Sequence, residues 1–147
     1  MRTLGIDFGE RRIGLAISDA GGTFALPFAT LERKSDAAAI ARIGEIVRDE
    51  EVEALVVGEP RNVDGTRGPA AERARGFAEK LRAATGLPLR LIDEALTTVA
   101  AAERLREAGV DAKRARERID SVAAQILLED ALARPEPRAP LGAEVEA

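Results

Sequence analysis

A mixed β-sheet covered by helices is the fold this sequence predicts, and three observations predict it. Apolar residues alternate with period two over residues 2–8 and 12–19, the mark of half-buried strands. From Ser35 the period lengthens to the helical one. Short apolar runs at 53–58 and 88–93 then alternate with helical stretches, as in parallel βα units.

The first strand, 2–8, places Leu4, Ile6 and Phe8 on one face and Gly5 and Asp7 on the other. Residues 9–12 read as a turn leading into a second strand, so the pair forms a hairpin. A third strand spans 23–31, where Pro27 favours an edge or a bend. Ile40, Ile43, Ile46 and Val47 fall at helical spacing between Ser35, a possible N-cap, and Glu50. After the fourth strand and a polar loop, 68–85 reads as a helix with Ala74, Phe77, Ala78 and Leu81 on one stripe, Pro69 near its start and Gly86 at its end. The fifth strand is 88–93. Thr97 or Thr98 caps a helix that runs to about Ala108 and stops at Gly109, and a last helix covers 111–133. Five strands and four helices thus occupy 1–133; the segment 134–147, with Pro135, Pro137 and Pro140 and no apolar period, reads as a disordered tail.

Composition narrows the chemistry. The 147 residues are 46% hydrophobic, enough for one domain with one sizeable core. Without Cys or His, neither disulfides and thiolate metal sites nor Ser-His-Asp and Cys-His arrangements can be built. Without Tyr, no tyrosyl attack on a phosphodiester is available. Carboxylates, Lys, hydroxyls and metal-bound water remain for acid–base work. Asp7 interrupts the first apolar stretch, and no run approaches the roughly 20 apolar residues of a membrane span, so a cytoplasmic protein with no membrane partner is expected. The net charge of −4 does not advertise a nucleic-acid binder, but charge is uneven. Between residues 104 and 118, six basic side chains (Arg104, Arg106, Lys113, Arg114, Arg116, Arg118) face three acidic ones (Glu107, Asp111, Glu117), either a solvated helical face or a phosphate-binding one.

Asp120 is the most informative residue. In a helix it shares a face with Ala123, Ala124, Leu127 and Ala131. An ionised carboxylate on an apolar face costs several kcal/mol without a partner. Either a salt bridge to an arginine or a metal ion would supply one. Asp7 lies inside a strand, where Asp is disfavoured, between Gly5 and Gly9, whose small size lets something approach the backbone. It either bonds a nearby loop or belongs to a site. Asp93 and Glu94 end the fifth strand, a common place for binding groups, although two acids there also suit the approach to a helix. Converging carboxylates are what metal-assisted phosphodiester cleavage requires, and hard oxygen ligands select Mg²⁺ or Mn²⁺. The loop 58–68 joins a strand to a helix and carries Gly65 and Gly68, which make it an ordinary turn or a phosphate-binding one. The candidate phosphate-binding residues are Arg12, Arg61, Asn62, Arg67, Lys113 and Arg114. The spacing Gly9 to Gly14 is not a P-loop, because Leu15 and Ala16 follow where Lys-Ser/Thr is needed.

Four segments carry a family resemblance: 5–19 (GIDFGERRIGLAISD), 56–65 (VVGEPRNVDG), 93–98 (DEALTT) and 119–128 (IDSVAAQILL). In this order and spacing the chain resembles the YqgF family of Holliday junction resolvases, also described as pre-16S ribosomal RNA nucleases. The resemblance runs from Leu4 to Leu132. It implies an α/β, RNase H-like fold with a mixed five-stranded sheet flanked by helices. It also implies a three-carboxylate metal site on Asp7, Glu94 and Asp120. The chain departs from the family pattern at Ala95, where Arg is usual, and at Glu59, where the usual Gly-Leu-Pro has Leu.

The expected activity is divalent-metal-dependent hydrolysis of a structured RNA or a branched DNA, with 5′-end processing of pre-16S ribosomal RNA ahead of junction resolution. A monomer or weak homodimer is expected. Two other classes compete. A relative of actin-like ATPases and sugar kinases would need two such lobes, and 147 residues supply one. A non-catalytic nucleic-acid module gains nothing from clustered acids, and four Phe with no Trp or Tyr make a poor base-stacking platform.

Overall fold

The computed structural model describes residues 1–60, 68–94 and 97–134, with the side chains of Glu94 and Thr97 outside that description. The elements are β1 (Thr3–Phe8), β2 (Arg12–Ser18), β3 (Ala25–Glu32), α1 (Asp36–Asp49), β4 (Ala54–Pro60), α2 (Pro69–Thr85), β5 (Leu89–Glu94), α3 (Thr97–Glu107) and α4 (Ala112–Ala133). One sheet has the order β3-β2-β1-β4-β5. β1–β2 and β2–β3 pair antiparallel; β1–β4 and β4–β5 pair parallel. The expected mixed five-stranded sheet is therefore present, and the C-terminal ends of β1, β4 and β5 lie side by side. The tail 135–147 and the loop 61–67 lie outside the described residues. Among the described residues, no helix is long and apolar enough to cross a membrane.

Local chemistry sets the boundaries. Ser35 caps α1 by accepting from Ala38 N–H, and Asp111 caps α4 by accepting from Arg114 N–H. α2 starts with Pro69 at its first turn and ends at Gly86 in the left-handed region, where a side chain would be strained. Gly109 likewise has positive φ after α3. Thr97 and Thr98, the expected caps of the third helix, both lie within α3 rather than before it, and positions 95–96 lie outside the described residues. β3 is an edge strand that carries Pro27, as expected, and its pairing with β2 shifts register between Leu15 and Ala16.

Strand alternation divides the sheet into two unlike faces. Leu4, Ile6, Ile13, Leu15, Leu55, Val57, Leu89 and Leu91 point one way and bury large side chains against Ile43 and Ile46 of α1 and Phe77 and Leu81 of α2. The other face is built from small residues. Gly5 pairs with Ala16 and Asp7 with Gly14 across the β1–β2 hairpin, and α4 lies on them. A Cβ on Gly5 would stand 2.9 Å from Leu128 Cβ, and one on Gly14 only 1.9 Å from the carbonyl oxygen of Asp120. The helix can reach the sheet because these positions have no side chain. Ala124, Leu127, Leu128 and Ala131 fill the contact with Val56 and Ile92, and α3 covers the outer side of α4 through Ala101, Leu105, Val122 and Ala123.

α4 is also held at its far end. The half-buried guanidinium of Arg90, whose pKa burial lowers, donates to the carbonyls of Ala131 (3.0 Å) and Arg134 (2.9 Å). The same end of the molecule carries a cavity of about 420 Å³ lined by Met1, Arg90, Ala131 and Leu132 among others.

One boundary differs from the sequence expectation. Glu59 and Pro60 read as loop by composition, yet β4 continues through both, which pair with Asp93 and Glu94 of β5. Parallel pairing extends the strand, and Glu59 turns onto the α1/α2 face beside Val57, where it is 0% exposed. Arg75 of α2 meets it, Nε to Oε2 at 3.2 Å. This departure from the family's Leu therefore comes with a charged partner.

Two stability predictions result. Gly14→Ala drives a methyl group into the Asp120 carbonyl and should cost about 3 kcal/mol, as overpacking does, with Gly5→Ala costing less. Urea unfolding midpoints measure both, and a Gly14→Ala midpoint equal to wild type would refute the close seat. For the buried pair, Arg75→Met strands a buried carboxylate and should cost on the order of 3 kcal/mol, whereas Glu59→Leu leaves a partly exposed arginine and should be near neutral. The reverse ranking of the two midpoints would show that the pair does not hold β4 to α2 in this way.

Candidate active site

The hairpin turn that opens the site depends on Gly9, whose N–H donates to the carbonyl of Arg12 at 3.0 Å. A Cβ on Gly9 would lie 2.5 Å from that same oxygen. The tight turn sets Arg12 two residues from Gly14, on the sheet face that α4 covers, while Ile13 between them enters the opposite core. Asp7 is on the α4 face directly across from Gly14. Gly14 in turn brings the Asp120 backbone down onto the hairpin. Asp7 and Asp120, 113 positions apart in sequence (120 − 7), thereby come to line one cavity of about 280 Å³, together with Arg12, Pro60, Arg73 and Thr98.

This cavity lies where the C-terminal ends of β1 and β4 meet the first turns of α2 and α3, a ligand position expected in sheets of this kind. Its signs of charge are mixed. Asp120 is half-buried and accepts from Arg12 Nε at 2.7 Å. Arg73 bonds Glu10 at 3.3 Å on the rim. The first turns of α2 and α3, through Ala70 and Thr98, add the partial positive charge of helix N-termini. Below them Phe8 stacks on Phe77 at 4.5 Å between ring centroids, with the Arg33 guanidinium 5.2 Å above Phe8. Phe8 gives the cavity an apolar wall.

Of the three expected carboxylates, the structure brings Asp7 and Asp120 together. Glu94 is the last residue of β5, opposite Pro60, and its side chain lies outside the described residues. Asp93, the neighbouring acid, pairs with Glu59 and lies on the opposite face from Ile92. Among the described residues no group of three acids forms a metal cluster. The donors that are described are carboxylate oxygens, and the chain has no His or Cys to offer instead. That donor set fits a hard divalent cation. Of the two partners expected for Asp120, the salt bridge to an arginine is present, and Asp7 lines the same cavity.

The expected phosphate ligands divide. Arg12 lines the cavity. Arg61, Asn62 and Arg67 lie outside the described residues, as does Ala95. Lys113 and Arg114 are exposed in the first turn of α4 and do not line the cavity; Arg114 stands 3.8 Å from its own cap, Asp111. Arg73 and Thr98 were not legible as site residues. Arg73 looks in sequence like any solvent-facing helix residue, and Thr98 resembles a cap.

Known proteins resemble the chain along most of its length. A protein of Anaeromyxobacter dehalogenans (strain 2CP-1), described as a candidate pre-16S rRNA nuclease, is 46% identical over 137 residues, which cover 93% of this chain and all of that one. One of Moorella thermoacetica with the same description is 47% identical over 134 residues, covering 91% of this chain and 96% of the other. The fold is that of T. thermophilus RuvC, solved in complex with a Holliday junction substrate, with a TM-score of 0.62 at 20% identity over 96% of this chain and 99% of that one. The RNase H-like architecture implied by the four motifs is therefore present. The profile of RuvX, described as Holliday junction resolvase, spans residues 1–134, which takes in Asp7, Asp120 and the strand end that carries Glu94, and the chain belongs to that family.

Proposed function

We propose that this chain is a divalent-metal-dependent nuclease that processes the 5′ end of pre-16S ribosomal RNA, with Asp7, Glu94 and Asp120 as its metal-binding carboxylates. One observation supports the reading: a single cavity is lined by three acids, Asp7 and Glu10 from the hairpin and Asp120 from the distant α4, beside Arg12, Arg73 and two helix N-terminal turns. Acids alone would suit a cation and arginines alone an anion. Their combination suits a cation and a phosphodiester bound together. The curated relatives at 46% and 47% identity favour the ribosomal precursor as substrate.

Mg²⁺ or Mn²⁺ bound by these carboxylates would supply a Lewis acid for the phosphate and lower the pKa of water. The chain's own residues do the rest. Asp7 on β1 and Asp120, seated over Gly14, offer two carboxylate ligands in one cavity. Arg12 and Arg73 bind and orient the phosphate, and the Thr98 hydroxyl at the start of α3 offers a further hydrogen bond to it. The loop 61–67 leaves β4 at Pro60 and returns at Gly68, one turn before Arg73, so its attachments flank the cavity. Arg61, Asn62 and Arg67 are proposed to reach the backbone on either side of the cut. Lys113 and Arg114, about 10 Å along α4 from Asp120 by helix rise, are proposed to meet a more distant phosphate.

A second reading, resolution of branched DNA, is favoured by the family description itself. Symmetric cutting of a two-fold junction would call for a homodimer, whereas RNA end processing needs only a monomer in the cytoplasm.

Cleavage by the purified protein of a pre-16S RNA fragment and of a four-way DNA junction, each with Mg²⁺ or Mn²⁺, separates the readings. Metal-dependent cutting of the RNA is expected, and Asp7→Asn should lower its rate at least about a hundredfold, more than loss of an outer-shell partner does. Cutting of the junction alone would select the resolvase. Binding of both nucleic acids without cutting, unchanged in Asp7→Asn, would make the protein a binding module.

A further inference from the structure

Arg12 bonds the very carboxylate that the metal would use. Its Nε donates to Asp120 Oδ2 at 2.7 Å, the shortest separation an N–H···O⁻ bond usually shows. The two partners are unequally free. The Asp120 side chain is 23% exposed and fixed by the seat of α4 on Gly14, while the Arg12 side chain is 55% exposed on the rim of the hairpin. A guanidinium has five N–H donors. Among the described residues Arg12 spends one of them on protein. The other rim cation, Arg73, is engaged by Glu10.

Resting on the metal-site reading, we propose that Arg12 is an exchangeable counter-ion: it neutralises Asp120 in the metal-free protein and is released to a substrate phosphate when a divalent cation takes Asp120. The physical reason is charge. Carboxylates gathered in one half-buried cavity repel each other until something positive sits among them. Arg12 does this at one carboxylate oxygen. A divalent ion does it better for all of them, and a guanidinium held on the same carboxylate would then repel it. Arg12 is long and largely solvated, so leaving costs little. Its hairpin position keeps it at the cavity mouth, where a phosphate would lie. Metal binding thereby turns a carboxylate partner into a phosphate ligand, and the site becomes ready for nucleic acid as it is loaded.

The rival arrangement is that Arg12 keeps its bond and orients Asp120 while the metal uses the other oxygen. The two differ in sign. Mn²⁺ titration of the metal-free protein, followed by electron paramagnetic resonance, reads the affinity without any catalysis. Exchange predicts that Arg12→Gln binds Mn²⁺ about fivefold more tightly than wild type, since removing a competing, partly exposed ion pair is worth no more than that. Arg12→Lys should lie between the two, and far-UV circular dichroism checks that each variant is folded. Weaker or unchanged Mn²⁺ affinity in Arg12→Gln would overturn the proposal. No Mn²⁺ binding by wild type would instead overturn the metal-site reading beneath it. The second half is read from binding of the pre-16S RNA fragment. With Ca²⁺ present Arg12→Gln should bind it about fivefold less tightly than wild type, and without divalent ions the two should bind alike. An equal deficit in both conditions would show a permanent phosphate contact and refute the exchange.

Discussion

The close seat of α4 on the β1–β2 hairpin is the contact on which the rest depends. Helix and strand backbones meet at Gly14, where even a methyl group would stand 1.9 Å from the Asp120 carbonyl. Side-chain packing alone keeps a helix much farther from a sheet. At this distance the carboxylate of a helix residue can share a cavity with that of a strand residue. The opposite face has no such requirement and fills with Leu, Ile and Phe in the ordinary way. One face thus provides the core's bulk and the other its precision.

The charge arrangement follows from that seat. A protein of net charge −4 gains little from long-range attraction to a polyanion. Positive charge near the carboxylates is instead local: Arg12, Arg73 and two helix N-terminal turns line the same cavity as the acids. Glu59 and Arg75 show the same economy on the opposite face: a carboxylate buried beside Val57 is tolerated because a guanidinium from α2 reaches it.

Most of the fold was legible because period and punctuation agree. Ser35, Pro69, Gly86 and Gly109 mark ends that the helical and strand periods already implied. The continuation of β4 through Glu59 and Pro60 was not legible, since it depends on a parallel partner 34 residues later (93 − 59) rather than on local propensity. In the site, Asp7 and Asp120 stood out because each is a charge in an apolar setting. That violation of local rules is visible in sequence. Arg73 and Thr98 violate nothing, so only the tertiary structure brings them to notice. The bond between Arg12 and Asp120 was legible as a possibility, an arginine for a stranded carboxylate, but its identity was not.

The far end of α4 has a consequence of a different kind. Met1, Arg90, Ala131 and Leu132 surround one cavity, and the amine of Met1 is tied to the carbonyl of Ala20. Arg134, fixed by Arg90, lies about 20 Å along the helix from Asp120. The start of β1 and the last turn of α4 therefore meet at one cavity, at the opposite end of the helix from Asp120. A change at this end, such as loss of the Arg90 contacts, would act on α4 from the end opposite Asp120, without touching any residue that lines the carboxylate cavity.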